Sequence, residues 1–207
     1  MRWCFLLFTL LLVTVSAVDI TQLNISVDIH EDGTTSESVV IAISPDTFTR
    51  KLSMVLPDDV YDLKVESLDG TGVRFTITKK NGRVLEIYPG SETQIIRIVF
   101  ESKNFVKFLE DRIEMSMSFT SPGDIDELRV RIMLPEGYTF LNSESVDLGT
   151  PVIYPPGSYV TDGRRIGYLY TGRNIAHEES RVFVLTARKL QCESVACRYM
   201  LIAIIAI

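Results

Sequence analysis

The sequence has no long run of charged residues of one sign. Lys and Arg together number 21 and Asp and Glu 27, which gives a net charge of -6 and a pI near 5.0. The charged residues are spread along the chain, as is typical of a solvated surface rather than an interaction tail. An acidic surface repels phosphate backbones, so nucleic acid is not an expected partner.

The chain also lacks the short motifs that identify common enzyme classes. It contains no Gly-x-Ser-x-Gly nucleophile elbow, no phosphate-binding glycine loop and no His-Glu-x-x-His pair. His177, Glu178, Glu179 and Ser180 provide the residue types of a hydrolase. Adjacency in sequence, however, brings no base within reach of a nucleophile. The sequence therefore predicts no enzyme activity and no cofactor.

Side chains that bind metals are few, since the chain has two histidines and three cysteines. Asp28, His30 and Asp32 share one face of a predicted strand, where neighbours on a face lie about 7 Å apart. That spacing is wide for a single cation without help from another strand. A solvated polar face is the expected interpretation, and no metal site is predicted.

Tryptophan and cysteine are scarce in the part of the chain expected to remain after processing. Trp3 and Cys4 lie in the N-terminal segment, and a mature protein without tryptophan argues against a carbohydrate-binding module. Cys192 and Cys197 are then the only cysteine pair, and in an oxidising compartment they predict a disulfide. The bond requires a turn between them, because these positions on a continuous helix are too far apart to bridge.

The first residues carry the pattern of an export signal. Met1, Arg2 and Trp3 give a short positive start, residues 5–15 are apolar apart from two threonines, and residues 15–17 match a small-residue cleavage site. We predict that residues 1–17 are a cleaved signal peptide; the alternative is an uncleaved N-terminal anchor. The short apolar run favours cleavage, because a helix that spans the bilayer needs about 20 residues. The protein is therefore expected outside the cytoplasm.

The last residues are apolar but too few to cross a bilayer. Residues 199–207 form an apolar run, yet a helix of that length reaches only about 14 Å against a hydrocarbon core of about 30 Å. We predict that residues 191–207 hold a juxtamembrane segment and the start of a truncated transmembrane helix, which would tether the protein to a membrane. The alternative is a final buried strand, which would rarely lack a polar face.

Alternation of apolar and polar residues dominates the rest of the chain. Residues 23–29 alternate without error, and an Asp32-Gly33 turn follows. Residues 39–43 are predicted to pair with them in a β-hairpin. Only residues 104–112 have a faintly helical pattern. Further alternating runs, separated by turn residues, cover 51–56, 60–68, 73–78, 83–88 and 94–100.

The second half of the chain repeats the order of segments found in the first. Residues 52–57 resemble 130–135, an offset of 78, and three further matches follow the same order. The matches predict a tandem duplication, although unrelated antiparallel units also have similar turn residues between their strands. The predicted fold is all-β, an antiparallel β-sandwich with two tandem immunoglobulin-like units at 18–103 and 104–190. One larger sandwich is the alternative.

Tyrosines of the second unit are the candidates for a binding surface. Tyr154 and Tyr159 flank a proline-glycine loop, and Tyr168 and Tyr170 share a face of the following predicted strand. Such residues can stack on a sugar or anchor a protein partner, although core or hairpin packing is the commoner reason for the pattern.

One N-glycosylation sequon, at residues 24–26, agrees with the predicted export. Its Asn24 is expected on the outward face of the first strand if Leu23, Ile25 and Val27 point inward. Chance sequons are common, so the motif adds little to the assignment.

The order of these features resembles a known kind of exported protein. The Asp-Gly hairpin at 27–43, the strand end at 134–138, the Asp162-Gly163-Arg164 turn and the apolar tail resemble uncharacterised archaeal-type membrane-anchored proteins with extracytoplasmic β-sandwich units. The resemblance covers most of the mature chain. It implies one or two sandwich units outside the cell, followed by a transmembrane helix.

The sequence as a whole predicts a non-enzymatic, exported and membrane-tethered ectodomain for adhesion, sensing or envelope structure. The expected partners are the membrane, through the apolar tail, and another envelope or cell-surface protein. One alternative is a ligand-binding sensor for a sugar or peptide at the tyrosines. Another is a hydrolase whose catalytic residues converge only in three dimensions.

Overall fold

A computed structural model describes residues 18–46, 51–79, 83–103, 106–110, 112–140 and 153–190. The predicted signal peptide and the C-terminal segment with Cys192 and Cys197 lie outside these described residues. Within them every regular element is a β-strand, so the all-β class is confirmed. In chain order the strands are β1 (Asp19–Ile29), β2 (Thr35–Ile43), β3 (Leu52–Leu56), β4 (Tyr61–Ser67), β5 (Val73–Lys79), β6 (Arg83–Pro89), β7 (Ile95–Ser102), β8 (Val106–Phe108), β9 (Arg112–Thr120), β10 (Asp124–Met133), β11 (Tyr138–Phe140), β12 (Ile153–Tyr154), β13 (Ser158–Thr161), β14 (Ile166–Ile175) and β15 (Ser180–Lys189).

The largest sheet has seven strands in the order β13-β14-β10-β1-β2-β7-β4. Its centre is a parallel pair, in which Asp19 of β1 lies opposite Asp124 of β10 and Asp28 lies opposite Met133. All other pairs in this sheet are antiparallel. Both halves of the chain therefore contribute to one continuous sheet.

Two smaller sheets complete the described fold. One has the order β11-β15-β9-β8, with β12 also paired to β15, and the other has the order β3-β6-β5. Both are antiparallel. Antiparallel sheets bury one face and expose the other, which explains the alternating sequence.

The core forms where the inner faces of the three sheets meet. On β1 the residues Leu23, Ile25 and Val27 are buried while those between them are partly exposed, as the alternation predicts. The small sheet adds buried residues such as Leu85, and the five-stranded sheet adds Phe183. These side chains belong to one hydrophobic cluster, so the sheets share a single core.

The predicted hairpin and the five further alternating runs of the first half are confirmed as strands. β1 and β2 pair antiparallel across the turn at Gly33, which has a φ of 86°. A positive φ is what glycine adopts without strain, so the Asp-Gly sequence suits this turn. The runs at 51–56, 60–68, 73–78, 83–88 and 94–100 correspond to β3, β4, β5, β6 and β7.

Two details differ from the sequence expectation. The segment with the faintly helical pattern contains strand β8, whose Val106 pairs with Met115 of β9, so the helical expectation is wrong for the described part. The matched segments 52–57 and 130–135 lie mainly in β3 and β10, which belong to different sheets. The tandem duplication itself stays a prediction.

The described residues include no helix long and apolar enough to cross a membrane.

Candidate functional site

A cavity of about 300 Å³ lies where the three sheets meet. Its wall comes from β1, β2 and β7 of the large sheet, β3 of the small sheet and β9 of the five-stranded sheet. The volume is at the lower end of the range for small-molecule sites. Its inner wall consists largely of the buried apolar side chains Ile25, Val39, Leu56, Phe100, Met117 and Phe119.

One side of the cavity is lined by residues that reach solvent. Val55 of β3 is 70% exposed, and Ser118 and Thr120 of β9 are also exposed. The inner wall is apolar and the outer lining is mixed, which is the usual character of a small-molecule pocket.

Glu37 is the acidic residue in this wall. Strand β2 alternates so that Thr35, Glu37 and Val39 all face inward, and Glu37 is only 2% exposed. Its cross-strand neighbours are Val27 on β1 and Phe100 on β7. A carboxyl therefore lies among apolar side chains, where an ionised group is costly.

The two oxygens of the Glu37 carboxyl have different surroundings. Oε1 accepts a hydrogen bond from the Thr35 hydroxyl and a long one, at 3.4 Å, from the Ser102 hydroxyl. Thr35 and Ser102 are themselves fully buried. Oε2 has no hydrogen-bond partner among the described residues, although it is buried.

Burial raises the pKa of Glu37 to about 7. The hydrogen bonds from Thr35 and Ser102 favour the ionised form and lower the pKa, but burial outweighs them. The negative charge of Asp59 adds to the rise. Glu37 can therefore exchange its proton near neutral pH, which an ordinary exposed carboxyl does not do.

Asp59 is a second acid near this site, in the turn after β3. Its Oδ2 accepts a hydrogen bond from the backbone N–H of Lys103, while its buried Oδ1 has no partner among the described residues. Two carboxyl oxygens of this region thus have no donor within the described part of the chain, and both belong to groups that carry negative charge when ionised.

The four candidate tyrosines do not form one surface. Tyr154 and Tyr159 are exposed, at 53% and 59%, whereas Tyr168 is 1% exposed and Tyr170 is 9% exposed. Tyr159 stacks on Phe140, with ring centroids 5.5 Å apart. Burial raises the pKa of Tyr168 to about 12, and its hydroxyl donates to the Pro155 carbonyl. Tyr168 and Tyr170 pack in the core, and only Tyr154 and Tyr159 remain accessible.

Asn24 lies on the partly exposed face of β1, opposite the buried Leu23 and Ile25. Its side-chain oxygen accepts a hydrogen bond from Gln22 at 3.3 Å. The orientation expected for a sequon is therefore present. Whether the site is modified stays a prediction, and the Cys192–Cys197 bond lies outside the described residues.

The acidic residues near His30 are engaged with separate partners. Asp28 forms an ion pair with Arg165 at 3.0 Å, and Asp32 accepts hydrogen bonds from Thr34. His30 lies 2.8 Å from the Ser36 hydroxyl. Across the ranges that the structure describes, no three His, Cys, Asp or Glu side chains are grouped so as to hold a metal ion.

The residues near His177 are likewise held by structural contacts. The His177 backbone N–H donates to Asp124 at 2.8 Å, and Glu179 pairs with Arg181 at 2.5 Å. The Ser180 hydroxyl lies 3.0 Å from that of Thr120. These contacts explain the cluster as a stabilised turn between β14 and β15.

Glu37 is not among the predicted site residues, although the sequence holds a signal for it. The alternation that places Val39, Ile41 and Ile43 inward also places residue 37 inward. A carboxyl at a core position of a predicted strand is such a signal. Its hydrogen-bond partner Ser102 is distant in sequence and could not be inferred.

No protein-family model matches this chain, and no curated protein matches it either. Solved structures do share its fold. Leukotriene A4 hydrolase from Saccharomyces cerevisiae in complex with bestatin has a TM-score of 0.54 at 14% identity, over 84% of this chain and 29% of the hydrolase chain. The native yeast enzyme gives 0.50 at 13% identity, over 82% and 29%.

An M1 zinc metallopeptidase from Deinococcus radiodurans gives a TM-score of 0.44 at 9% identity, over 84% of this chain and 42% of its own. This chain spans less than a third of the length of the yeast enzymes described above. At these identities the yeast structures show a shared fold over the matched part of each chain, and the fold alone.

Proposed function

We propose that this chain is a non-enzymatic ectodomain, exported and membrane-tethered, that acts in sensing by binding a small ligand. The observation that carries the proposal is the cavity between the three sheets, which is open on one side and has an apolar inner wall and one buried carboxyl. A pocket of this composition suits selective binding, because the apolar wall supplies affinity and a single polar group supplies orientation. Adhesion and envelope structure would not need such a cavity.

Export and tethering are supported by the sequence. Residues 1–17 have the charge, apolar run and cleavage site of a signal peptide, and residues 199–207 are apolar. The features shared with archaeal-type membrane-anchored proteins support the same location. In this proposal the membrane and a second envelope protein are the partners that would relay binding.

The tyrosine region is the weaker of the two ligand sites. A sugar or peptide platform would need an accessible row of rings, and Tyr168 and Tyr170 are buried. The remaining pair, Tyr154 and Tyr159, could still form a small contact surface. The cavity around Glu37 is therefore the preferred site.

The finer fold assignment is also a proposal. Two immunoglobulin-like units related by duplication are supported by the ordered matches at offsets of roughly 80 in the sequence. The parallel pairing of β1 with β10 instead favours the alternative of one larger sandwich.

The location is tested by fractionating the native host and measuring the mass of both ends of the chain. We expect a membrane-bound protein that begins near Val18. Recovery in the cytosol with Met1 intact would overturn export, and with it the disulfide and the glycosylation.

A further inference from the structure

The Glu37 carboxyl lacks a hydrogen-bond donor on one of its two oxygens. The hydroxyls of Thr35 and Ser102 both serve Oε1, and Oε2 is buried without a partner among the described residues. A buried oxygen without a donor is unfavourable, so a donor that reaches it gains the interaction. Glu37 lines the cavity, and because Oε2 is covered from solvent, a ligand held there supplies that donor once the carboxyl turns toward it.

The charge at the site selects the kind of donor. The charge of Asp59 acts on Glu37, and Asp59 Oδ1 is also buried without a partner. None of the ion pairs among the described residues includes Glu37 or Asp59. The ammonium group of Lys103 lies 5.8 Å from the Tyr61 ring centroid. Two carboxyls without an ion-pair partner among the described residues favour a ligand that brings a positive charge.

The wall of the cavity selects the rest of the ligand. Phe100, Met117 and Phe119 are buried and apolar, and they come from two different sheets. A volume of about 300 Å³ corresponds to about ten water molecules, which accommodates a compact hydrocarbon or aromatic body. A strongly polar body such as a sugar would leave its hydroxyls unpaired against this wall.

We propose that the cavity binds a small amphiphilic amine, with its ammonium group on the Glu37 carboxylate and its apolar body against Phe100, Met117 and Phe119. This inference rests on the proposed sensing function and names the class of its ligand.

Binding of an amine to this site depends on pH, because only ionised Glu37 pairs with an ammonium group. Asp59, from the turn after β3, is the charged side chain whose field acts on Glu37. The described residues that the neighbouring strands place against Glu37 do not titrate. On β1, β2, β7, β3 and β9 these are Ile25, Val27, Thr35, Phe100, Ser102, Leu56, Met117 and Phe119. Amine affinity therefore rises as the pH increases through the pKa of Glu37, near 7, while the ligand stays protonated.

The test uses three probes with one apolar body, namely phenylbutylamine, phenylbutanol and phenylbutyrate. Each is titrated into the full chain by calorimetry at about pH 8. We expect the amine to bind at least about tenfold more tightly than the alcohol, because a charge-assisted hydrogen bond is worth at least that factor. Phenylbutyrate is expected to bind most weakly, since its carboxylate would face Glu37 and Asp59.

Two variants separate the carboxyl from the rest of the cavity. Glu37→Gln keeps the shape and an acceptor for Thr35, so it should lose at least about tenfold in amine affinity and keep its alcohol affinity. Glu101→Gln removes the same charge from β7, one residue before Ser102 and on the opposite face of the strand, and should change neither.

Several results would overturn the proposal. These are equal binding of amine and alcohol to the wild type, unchanged amine affinity in Glu37→Gln, a preference for phenylbutyrate, or no binding of any probe. If Glu37→Gln also loses the alcohol, the variant has altered the cavity, and the wild-type profile decides: amine affinity that does not rise between about pH 5.5 and 8 contradicts the proposal. Fractionation tests export without any ligand, so either result can fail alone.

Discussion

Glu37 occupies a position that the alternation of β2 assigns to the core. The period of two fixes the direction of the side chain, so the inward placement of residue 37 follows from the sequence. The surroundings do not, because Phe100 and Ser102 arrive from β7 and Phe119 from β9. The inward direction of the Glu37 side chain is therefore predictable from the local sequence. The residues that surround it are not, because they come from strands distant in the chain.

The raised pKa of Glu37 makes the stability of the protein depend on pH. The carboxyl has a pKa of about 7 when folded and near 4.5 when unfolded. Between these values the folded state holds a proton that the unfolded state has lost, so stability falls as the pH rises from about 4.5 to 7 and then levels off. We expect Glu37→Gln to remove this dependence. Relative to the wild type, the variant should gain about 2 to 3 kcal/mol between pH 4.5 and 8, measured by urea unfolding.

The matched control for this prediction is Glu92→Gln, at an exposed position. Its difference from the wild type should stay the same across the pH range. An equally flat difference for Glu37→Gln would mean that the folded protein does not shield the carboxyl from water.

At the scale of elements, the strands with the clearest local pattern were the most predictable. β1 and β2 combine strict alternation with an Asp-Gly turn, so both strands and their pairing follow from the sequence. β8 is different, because its three residues are too few to show whether they alternate as in a strand or repeat as in a helix. Its strand conformation comes from pairing Val106 with Met115 and Phe108 with Ile113 of β9. This tertiary contact overrides the weak helical pattern.

The start of β10 packs closely on the chain just before β1, and this contact requires a glycine. A Cβ at Gly123 would lie 2.1 Å from the Val18 carbonyl oxygen, a backbone atom that cannot move alone. We expect Gly123→Ala to destabilise the protein by about 1 to 3 kcal/mol in chemical denaturation, as overpacking does. Gly72→Ala is the control, because no atom lies within 4 Å of its added Cβ. Equal stability of the two variants would contradict the close contact.

At the scale of the whole molecule, the parallel pairing of β1 with β10 is the feature that the sequence did not predict. Antiparallel neighbours leave local turn signals, whereas a parallel pair joins segments distant in the chain and leaves none. The alternation at residues 23–29 indicates that β1 has a buried face, but not that β1 shares a ladder with β10. The division at residues 103 and 104 therefore describes the order of the chain and not a separation between sheets.

A shared sheet and a shared core predict that both halves unfold together. The parallel ladder extends along β1 and β10, and the core cluster includes residues from all three sheets. We expect a single calorimetric transition whose van't Hoff and calorimetric enthalpies agree. Two separable transitions would support two independent units instead.

Glu37 lies where the three sheets meet, and its titration reports directly how far the sheets exclude water from the carboxyl. The measurement is the carbon-13 NMR shift of the Glu37 side-chain carboxyl as a function of pH in the whole protein, assigned by its loss in Glu37→Gln. We expect a midpoint near 7, because the inner faces of the sheets exclude water from the group. A midpoint near 4.5 would show that water reaches Glu37 freely, and the cavity would then not be the binding site proposed for this protein.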